Sequence, residues 1–410
     1  MAANSLKKNV VYATIGNLGY AAFQYLILLI YIKLFTTQEV GIFVYALAFT
    51  APLTMALDMQ LRTLYLTDSG THKLNEYISF RTLTNLIAVV ALGISAYFMK
   101  VDYFLPILLI SCIKAFESQL DLIYGVYQKN HRLDFVAYSK IIRGLIAAGA
   151  VLLVSYLTKN INYSLFAYLS SWVILYFLYE RKLVVKRGLI PSSDLRPVVL
   201  SFDKIKMLML LGLPLFAVIL LDRYYANYPR LYIETKFGLG AVGIFGSLLY
   251  FKVLAGQLIA AIGQSTVPVM SKHLLSGDLK SFDKLTLRLL VSGFSIGLVS
   301  VIISVFFGEY LLTLLYNKEY AQHAEVLSYI FIGSALNYSY IFIGTALTCL
   351  RKQWIKLPIT IFGFALLFLL LYFLRISGLK DVALIIIGVE MMIFIIYFLI
   401  YKFYLKKHHV

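Results

Sequence analysis

A run of about twenty predominantly apolar residues matches the hydrocarbon thickness of a bilayer, and a chain made of one such run after another has few ways to bury them. Twelve runs follow each other here, with approximate limits 10–35, 41–66, 80–99, 105–127, 137–157, 163–180, 206–229, 240–268, 286–307, 326–349, 355–374 and 382–402. A mean hydropathy of +0.82, with 61% hydrophobic and 14% charged residues, excludes a soluble core as the destination of that surface. The expectation is an all-α polytopic membrane protein of twelve transmembrane helices, because a helix satisfies its own backbone in lipid. The first run is too long for the apolar region of a cleaved signal and has no small-x-small site behind it, so it reads as a retained span.

The interval 180–206 is the longest polar break between spans and carries seven basic residues, Arg181, Lys182, Lys186, Arg187, Arg196, Lys204 and Lys206. Orientation follows Lys and Arg, so this loop is expected in the cytoplasm, and both termini with it. Lys129 with Arg132, Lys280 with Lys284 and Arg351 with Lys352 then fall inside, while 100–102, 159–160, 236–240 and 380–381 form short outer turns. The expected location is a membrane that the chain crosses many times. The net charge of +17 is explained by this topology and not by a nucleic-acid footprint. Cys112 and Cys349 each sit inside an apolar run, which reads as two inert thiols and no disulfide framework.

Twelve spans around a central loop suggest an internal repeat: an N-terminal lobe 1–190, a linker 191–205 and a C-terminal lobe 206–410. Glu39-Val-Gly-Ile-Phe43 after the first span is echoed by Ala241-Val-Gly-Ile-Phe245 after the seventh, and the same offset pairs Arg62 with Gln264. Six spans separate the copies, so the two six-helix lobes are expected to be related by a pseudo-two-fold axis along the membrane normal. Pro52, Pro214, Pro268 and Pro358 lie in or near spans two, seven, eight and eleven, where each permits a kink. Spans one, two, seven and eight are therefore the expected moving wall.

Several motifs carry nothing. Gly238-Leu-Gly240-Ala-Val-Gly243 matches a dinucleotide fingerprint in letters but sits between two spans, with no strand before it. Six scattered histidines have no ligand spacing. With no P-loop and no nucleophile elbow either, the chain is expected to be no enzyme and to need no cofactor or metal.

Charges within spans are costly, by roughly 3 kcal/mol on insertion scales, and each is a functional candidate. Asp58 and Arg62 stand four apart in span two. Lys114, Glu117 and Asp121 form one stripe of span four, with Ser111 and Ser118 close by. Asp222 and Arg223 precede Tyr224, Tyr225, Asn227, Tyr228 and Arg230 in span seven; Lys252 lies near mid-membrane in span eight and Glu390 in span twelve. Interhelical ion pairs would account for any one of these; a water-filled cavity rimmed by cations and lined by tyrosines accounts for the set. If Glu117 and Asp121 were both ionised they would repel, so their charge must be met by a proton, a cation, or a base on another helix such as Lys140 or Arg143. Glu117, Asp121, Lys114 and Asp58 are accordingly candidates for coupling to a proton or sodium gradient.

Ser5-Leu-Lys-Lys-Asn-Val, Ile15-Gly-Asn17, Phe35-Thr-Thr-Gln-Glu-Val-Gly-Ile-Phe43 and Leu61-Arg-Thr-Leu-Tyr-Leu-Thr-Asp68 resemble stretches of Wzx-type O-antigen flippases, members of the multidrug/oligosaccharidyl-lipid/polysaccharide (MOP) exporter superfamily. The recognisable residues lie at 5–68; length, span number and central loop agree over the whole chain. The resemblance implies two lobes working by alternating access and a substrate of undecaprenyl pyrophosphate bearing an oligosaccharide, moved from the cytoplasmic to the periplasmic leaflet. It also implies membrane lipid, an O-antigen polymerase and a chain-length regulator as partners. A pyrophosphate needs cations, Arg best of all; Arg223 and Lys252, with Arg62 at the inner mouth and Arg230, Tyr224 and Tyr228 around them, are the expected substrate-binding set. The relative that moves the peptidoglycan precursor has two further spans, which argues against that cargo. A drug/cation antiporter of the same superfamily is one alternative. A membrane polymerase or transferase of the same pathway is another, and it would be expected to carry a large periplasmic loop.

Overall fold

A computed structural model describes residues 2–68, 72–99 and 103–407. The turn expected at 100–102 and the C-terminal His408 and His409 lie outside them, as do the side chains of 2–7 and Val10. Among the described residues the chain is helical, with no strand. In order the helices are α1 Ala2–Leu34, α2 Thr37–Leu57, α3 Leu61–Thr67, α4 Leu74–Phe98, α5 Phe104–Lys129, α6 Leu133–Thr158, α7 Ile161–Leu175, α8 Arg181–Lys186, α9 Phe202–Leu275, α10 Leu279–Leu315, α11 Lys318–Ala321, α12 Ala324–Cys349, α13 Lys356–Phe373 and α14 Leu379–Lys407.

Among the described residues ten helical stretches are long and apolar enough to cross a membrane. The expected twelve are recovered because α5, with Lys114, Glu117 and Asp121, is a span too charged to pass that test, and because α9 holds two spans. Between those two the expected loop shrinks to one residue, Gly238, at φ +80° and ψ 179°. That conformation is open essentially only to glycine.

Local chemistry explains the helix starts. Thr36 caps α2: its hydroxyl accepts from the Glu39 N–H at 3.3 Å, and the Glu39 carboxylate accepts from the Thr36 N–H at 2.9 Å. The Thr-Thr-Gln-Glu part of the resemblance is thus a capping box. Asn160 caps α7 by accepting from Asn162 N–H at 2.9 Å, and Asp278 caps α10 by accepting from Ser281 N–H at 3.0 Å.

Span two does not run through as one helix. Met59 and Gln60 both adopt left-handed backbone, φ +45° and +48°, and separate α2 from α3. Asp58 and Arg62 therefore are not the i,i+4 pair that their spacing predicts. At the other end of the domain, α7 passes into α8 through a π-helical turn, Tyr176–Glu180.

By packing, the chain separates into two units, residues 1–231 and 232–410, with the boundary inside α9. In the first, α5 packs on α4 and α7; in the second, α12 packs on α10 and α14. The fourth span of each half thus takes its third and sixth as neighbours, as an internal repeat requires. Small residues permit the closest approaches: a Cβ on Gly16 of α1 would lie 2.8 Å from the Ala137 Cα of α6, and one on Gly297 of α10 would lie 2.3 Å from the Ala335 Cα of α12. The linker lies on the first unit: Leu195 is buried, Val198 N–H donates to Ser79 Oγ at 2.7 Å, and Lys204 pairs with Glu76.

Candidate functional site

The charged stripe of α5 meets α1 to α4 in the interior of the first unit. Lys114 Nζ donates to Glu117 Oε2 at 2.7 Å, and Tyr20 of α1 donates to the other oxygen at 2.5 Å. Arg62 of α3 donates from Nη1 to Asp121 Oδ1 at 2.9 Å and from Nη2 to Gln128 Oε1 at 2.6 Å. Both α5 carboxylates thus have a cation. The base from another helix is Arg62, not Lys140 or Arg143. One turn deeper, Arg81 of α4, whose side chain is 1% exposed, pairs with Asp58 and donates to Ser118 Oγ at 2.7 Å, while Ser118 donates to Asp58. The left-handed break at Met59–Gln60 is what sends Asp58 to α4 and Arg62 to α5.

Two cations of this interior, Lys140 and Arg143, have no carboxylate within ion-pair distance among the described residues. Lys140 of α6 donates to Asn17 Oδ1 of α1 at 2.6 Å and lies 5.9 and 5.7 Å from the ring centres of Tyr20 and Tyr124. Arg143, one turn on, is buried; its guanidinium lies 4.0 Å from the ring centre of Trp172 and 5.5 and 5.6 Å from those of Tyr20 and Tyr124. Its Nε and Nη1 have no hydrogen-bond partner among the described residues. Aromatic faces offset a guanidinium's charge in part and leave its N–H fork available. Glu180, also buried, accepts from Ser139, which shares a 2.8 Å hydrogen bond with Tyr124; its second oxygen has no partner.

The second unit holds a smaller network. Lys252 Nζ lies 3.3 Å from Glu390 Oε1, and Tyr340 donates to Glu390 Oε2 at 2.6 Å while stacking on Tyr397 with centroids 5.2 Å apart. Asn337 Nδ2 is 3.4 Å from the same oxygen, and Tyr338 donates to the Lys252 carbonyl at 2.7 Å. Span seven presents the remaining sequence candidates. Arg223, 41% exposed at its side chain, lies 3.9 Å from its neighbour Asp222; Arg230 donates to Asn227 Oδ1 at 2.7 Å; Tyr224 and Tyr228 stack at 6.3 Å. The first unit therefore gathers Arg62, Lys114, Glu117, Asp121 and Asp58 into one network. Arg223, Arg230, Tyr224 and Tyr228 form a separate stripe of α9, and Lys252 belongs to the second unit.

Sequence reasoning missed Arg81, Tyr20, Trp172 and Glu180, and placed Arg143 only as a counter-ion. Arg81 lies one residue inside the limit of span three, where an ion is taken for an interfacial anchor; Tyr20 is one of 32 tyrosines. The usable signal was the i,i+3 pair Lys140 and Arg143, two cations on one face of a span with no acid beside them.

No protein-family model matches the chain. The capsular polysaccharide biosynthesis protein CapF of Staphylococcus aureus is 30% identical over 326 residues, which are 80% of this chain and 81% of CapF. The chain belongs to the CapF family. Solved structures give the fold of this CapF-family chain. An inward-facing multidrug resistance MATE family transporter of the MOP superfamily aligns with a TM-score of 0.64 at 17% identity, covering 97% of this chain and 95% of that one. Its outward-facing counterpart aligns at 0.64 and 15%, covering 99% and 96%. A MOP superfamily transporter from Pyrococcus furiosus aligns at 0.64 and 16%, again covering 99% and 96%. The CapF-family chain has the twelve-span fold of these MOP superfamily transporters, the fold that residues 5–68 imply, and is a multi-pass membrane protein.

Proposed function

We propose that this chain flips a lipid-linked surface-polysaccharide repeat unit, carried on undecaprenyl pyrophosphate, from the cytoplasmic to the periplasmic leaflet of the inner membrane. The observation that carries the reading is the 30% identity to a capsular polysaccharide biosynthesis protein on a chain with a transporter fold. A biosynthetic step performed on that scaffold is the movement of an intermediate. Neither a pyrophosphate nor a glycan crosses hydrocarbon unaided. Lys140 and Arg143 supply two adjacent cations with no carboxylate partner, and Tyr20, Tyr124 and Trp172 supply the aromatic surface that sugars stack on. Arg62, Arg223, Arg230, Tyr224 and Tyr228 and, in the second unit, Lys252 are further proposed contacts for the pyrophosphate and the glycan. The O-antigen polymerase and chain-length regulator of the pathway are the proposed protein partners. A drug/cation antiporter is disfavoured, because a cationic cargo calls for surplus acid where this interior leaves surplus base.

The test is a proteoliposome assay with undecaprenyl-pyrophosphate-linked glycan in the inner leaflet and a glycan-modifying enzyme outside. Wild type is expected to expose the glycan to the enzyme. Arg143→Gln is expected to slow this roughly 10–100-fold, the loss of a charge-assisted hydrogen bond of about 1.5–3 kcal/mol. Exchange of a lipophilic cation without any glycan exposure would establish the antiporter reading in its place.

A further inference from the structure

The basic loop does more than set orientation; it builds a recess. At the π turn Tyr176–Glu180 one extra residue enters the helix, so Glu180 turns inward to Ser139 while Phe177 and Arg181 stay on the outer face. Beyond α8, Gly188 reverses the chain at φ +64°, and the short 3-10 helix Ser192–Leu195 folds back. Buried Leu195 anchors it, and Arg181 Nη2 donates to the Leu195 carbonyl at 2.9 Å. Between α8 and this segment lies an open recess of about 470 Å³.

Its walls are of two kinds. Arg181, Lys182, Lys186 and Arg196 line it with four cations, and Phe177 and Val185 form an apolar side. Among the described residues no carboxylate lines it, and Lys182, Lys186 and Arg196 have no ion-pair partner. Lys182 and Lys186 are one helical turn apart on one face, and Arg196 closes on them from the 3-10 helix. The recess stands at the basic end of the apolar stretch Ile161–Lys186, with the exposed apolar residues Phe177 and Leu178 at that end, which is the composition of a span's end at a membrane surface. A basic recess at the interface, with an apolar wall toward the hydrocarbon, matches a phospholipid whose phosphate is anionic and whose acyl chains begin immediately below.

We propose that this recess is a binding site for the headgroup of an anionic phospholipid, separate from the transport path. Bound there, the lipid clamps the 3-10 helix to α8 and so fixes the linker that leads into α9. Its site is complete within the first unit.

The experiment uses the full chain purified in a mild detergent, with bound lipid counted by native mass spectrometry. Phosphatidylglycerol is expected to bind, and phosphatidylcholine is not. Each cation near an anionic headgroup is worth roughly fivefold in affinity, so Lys182→Gln/Lys186→Gln/Arg196→Gln is expected to bind phosphatidylglycerol about a hundredfold more weakly. The charge-keeping variant Lys182→Arg/Lys186→Arg/Arg196→Lys is expected to retain it, which separates loss of charge from loss of fold. Undiminished binding by the glutamine variant overturns the proposal. So does displacement of the lipid by inorganic phosphate, which would make this a free-phosphate site, and so does an equal loss in Lys272→Gln/Lys280→Gln/Lys284→Gln, which would reduce the effect to overall charge. No transport is measured, so the outcome stands apart from that of the flippase reading.

Discussion

Asp58 and Arg62 are four residues apart in the sequence and make opposite demands on the fold. Asp58 is the counter-ion of Arg81, which is 1% exposed, so Asp58→Ala strands a buried guanidinium. Breaking such a pair costs about 3–5 kcal/mol; thermal unfolding in detergent should show a large loss, and an unchanged midpoint would mean Arg81 is satisfied elsewhere. Arg62 pairs with an Asp121 that is 42% exposed. A part-exposed pair is worth less than a buried one, so Arg62→Ala should cost less stability than Asp58→Ala, and loss of the proposed glycan flipping at retained protein level in that variant is functional. The charges themselves were legible, because an ion in a span is costly enough to need a reason. Their partners were not. Lys114 with Glu117 could be read from spacing on one helix, but Arg62 with Asp121 and Asp58 with Arg81 depend on where α2 breaks, and neither Met59 nor Gln60 is a residue type that announces a left-handed turn. Arg143 shows the same limit: its charge is visible in the chain, and its three aromatic neighbours come from α1, α5 and α7.

Among the elements, the apolar runs found the helices because length and hydropathy suffice in lipid. Thr36 and Glu39 fixed the start of α2 through chemistry local to four residues. What failed to show was any feature set by packing: the π turn at Tyr176–Glu180, and the reduction of the 229–240 connection to Gly238 alone. That residue carries a prediction. At φ +80° and ψ 179°, with nothing within 4 Å of where a Cβ would stand, Gly238→Ala meets no clash, and its cost is backbone strain of about 1–3 kcal/mol. Gly149, also with open space around it but inside α6, is the matched control: Gly149→Ala should be neutral or stabilising by about 0.5–1 kcal/mol. Opposite shifts in unfolding temperature are expected for the two; equal shifts would show that the Gly238 turn relaxes freely.

For the molecule as a whole, the repeat read from Glu39–Phe43 and Ala241–Phe245 is matched by packing, with α5 on α4 and α7 answered by α12 on α10 and α14. Sidedness is open to a direct check: alkaline phosphatase fused after Lys236 should be active and after Lys186 inactive, and the reverse would invert the topology and every inner and outer assignment with it. The proposed transport also needs a reason to run in one direction. An ion gradient can bias a conformational equilibrium only through a group whose affinity for the ion differs between states. As the structure stands, Glu117 and Asp121 each have a cation, so neither needs a proton or sodium ion. That balance holds only while Arg62 stays on Asp121 at 2.9 Å. A pyrophosphate brings two or more negative charges and the geometry that a guanidinium prefers, and if Arg62 turns to it, Asp121 is left beside Glu117 with no cation of its own. Cargo binding would then create the ion site, and release of the cargo would erase it. In proteoliposomes, a proton or sodium gradient is accordingly expected to accelerate glycan exposure by the wild type. Asp121→Asn should lose that acceleration while keeping basal flipping, since the amide needs neither ion nor cation. A full gradient response in Asp121→Asn would make the Arg62–Asp121 pair a structural brace and move the search for the coupling group to Asp58 and Glu390.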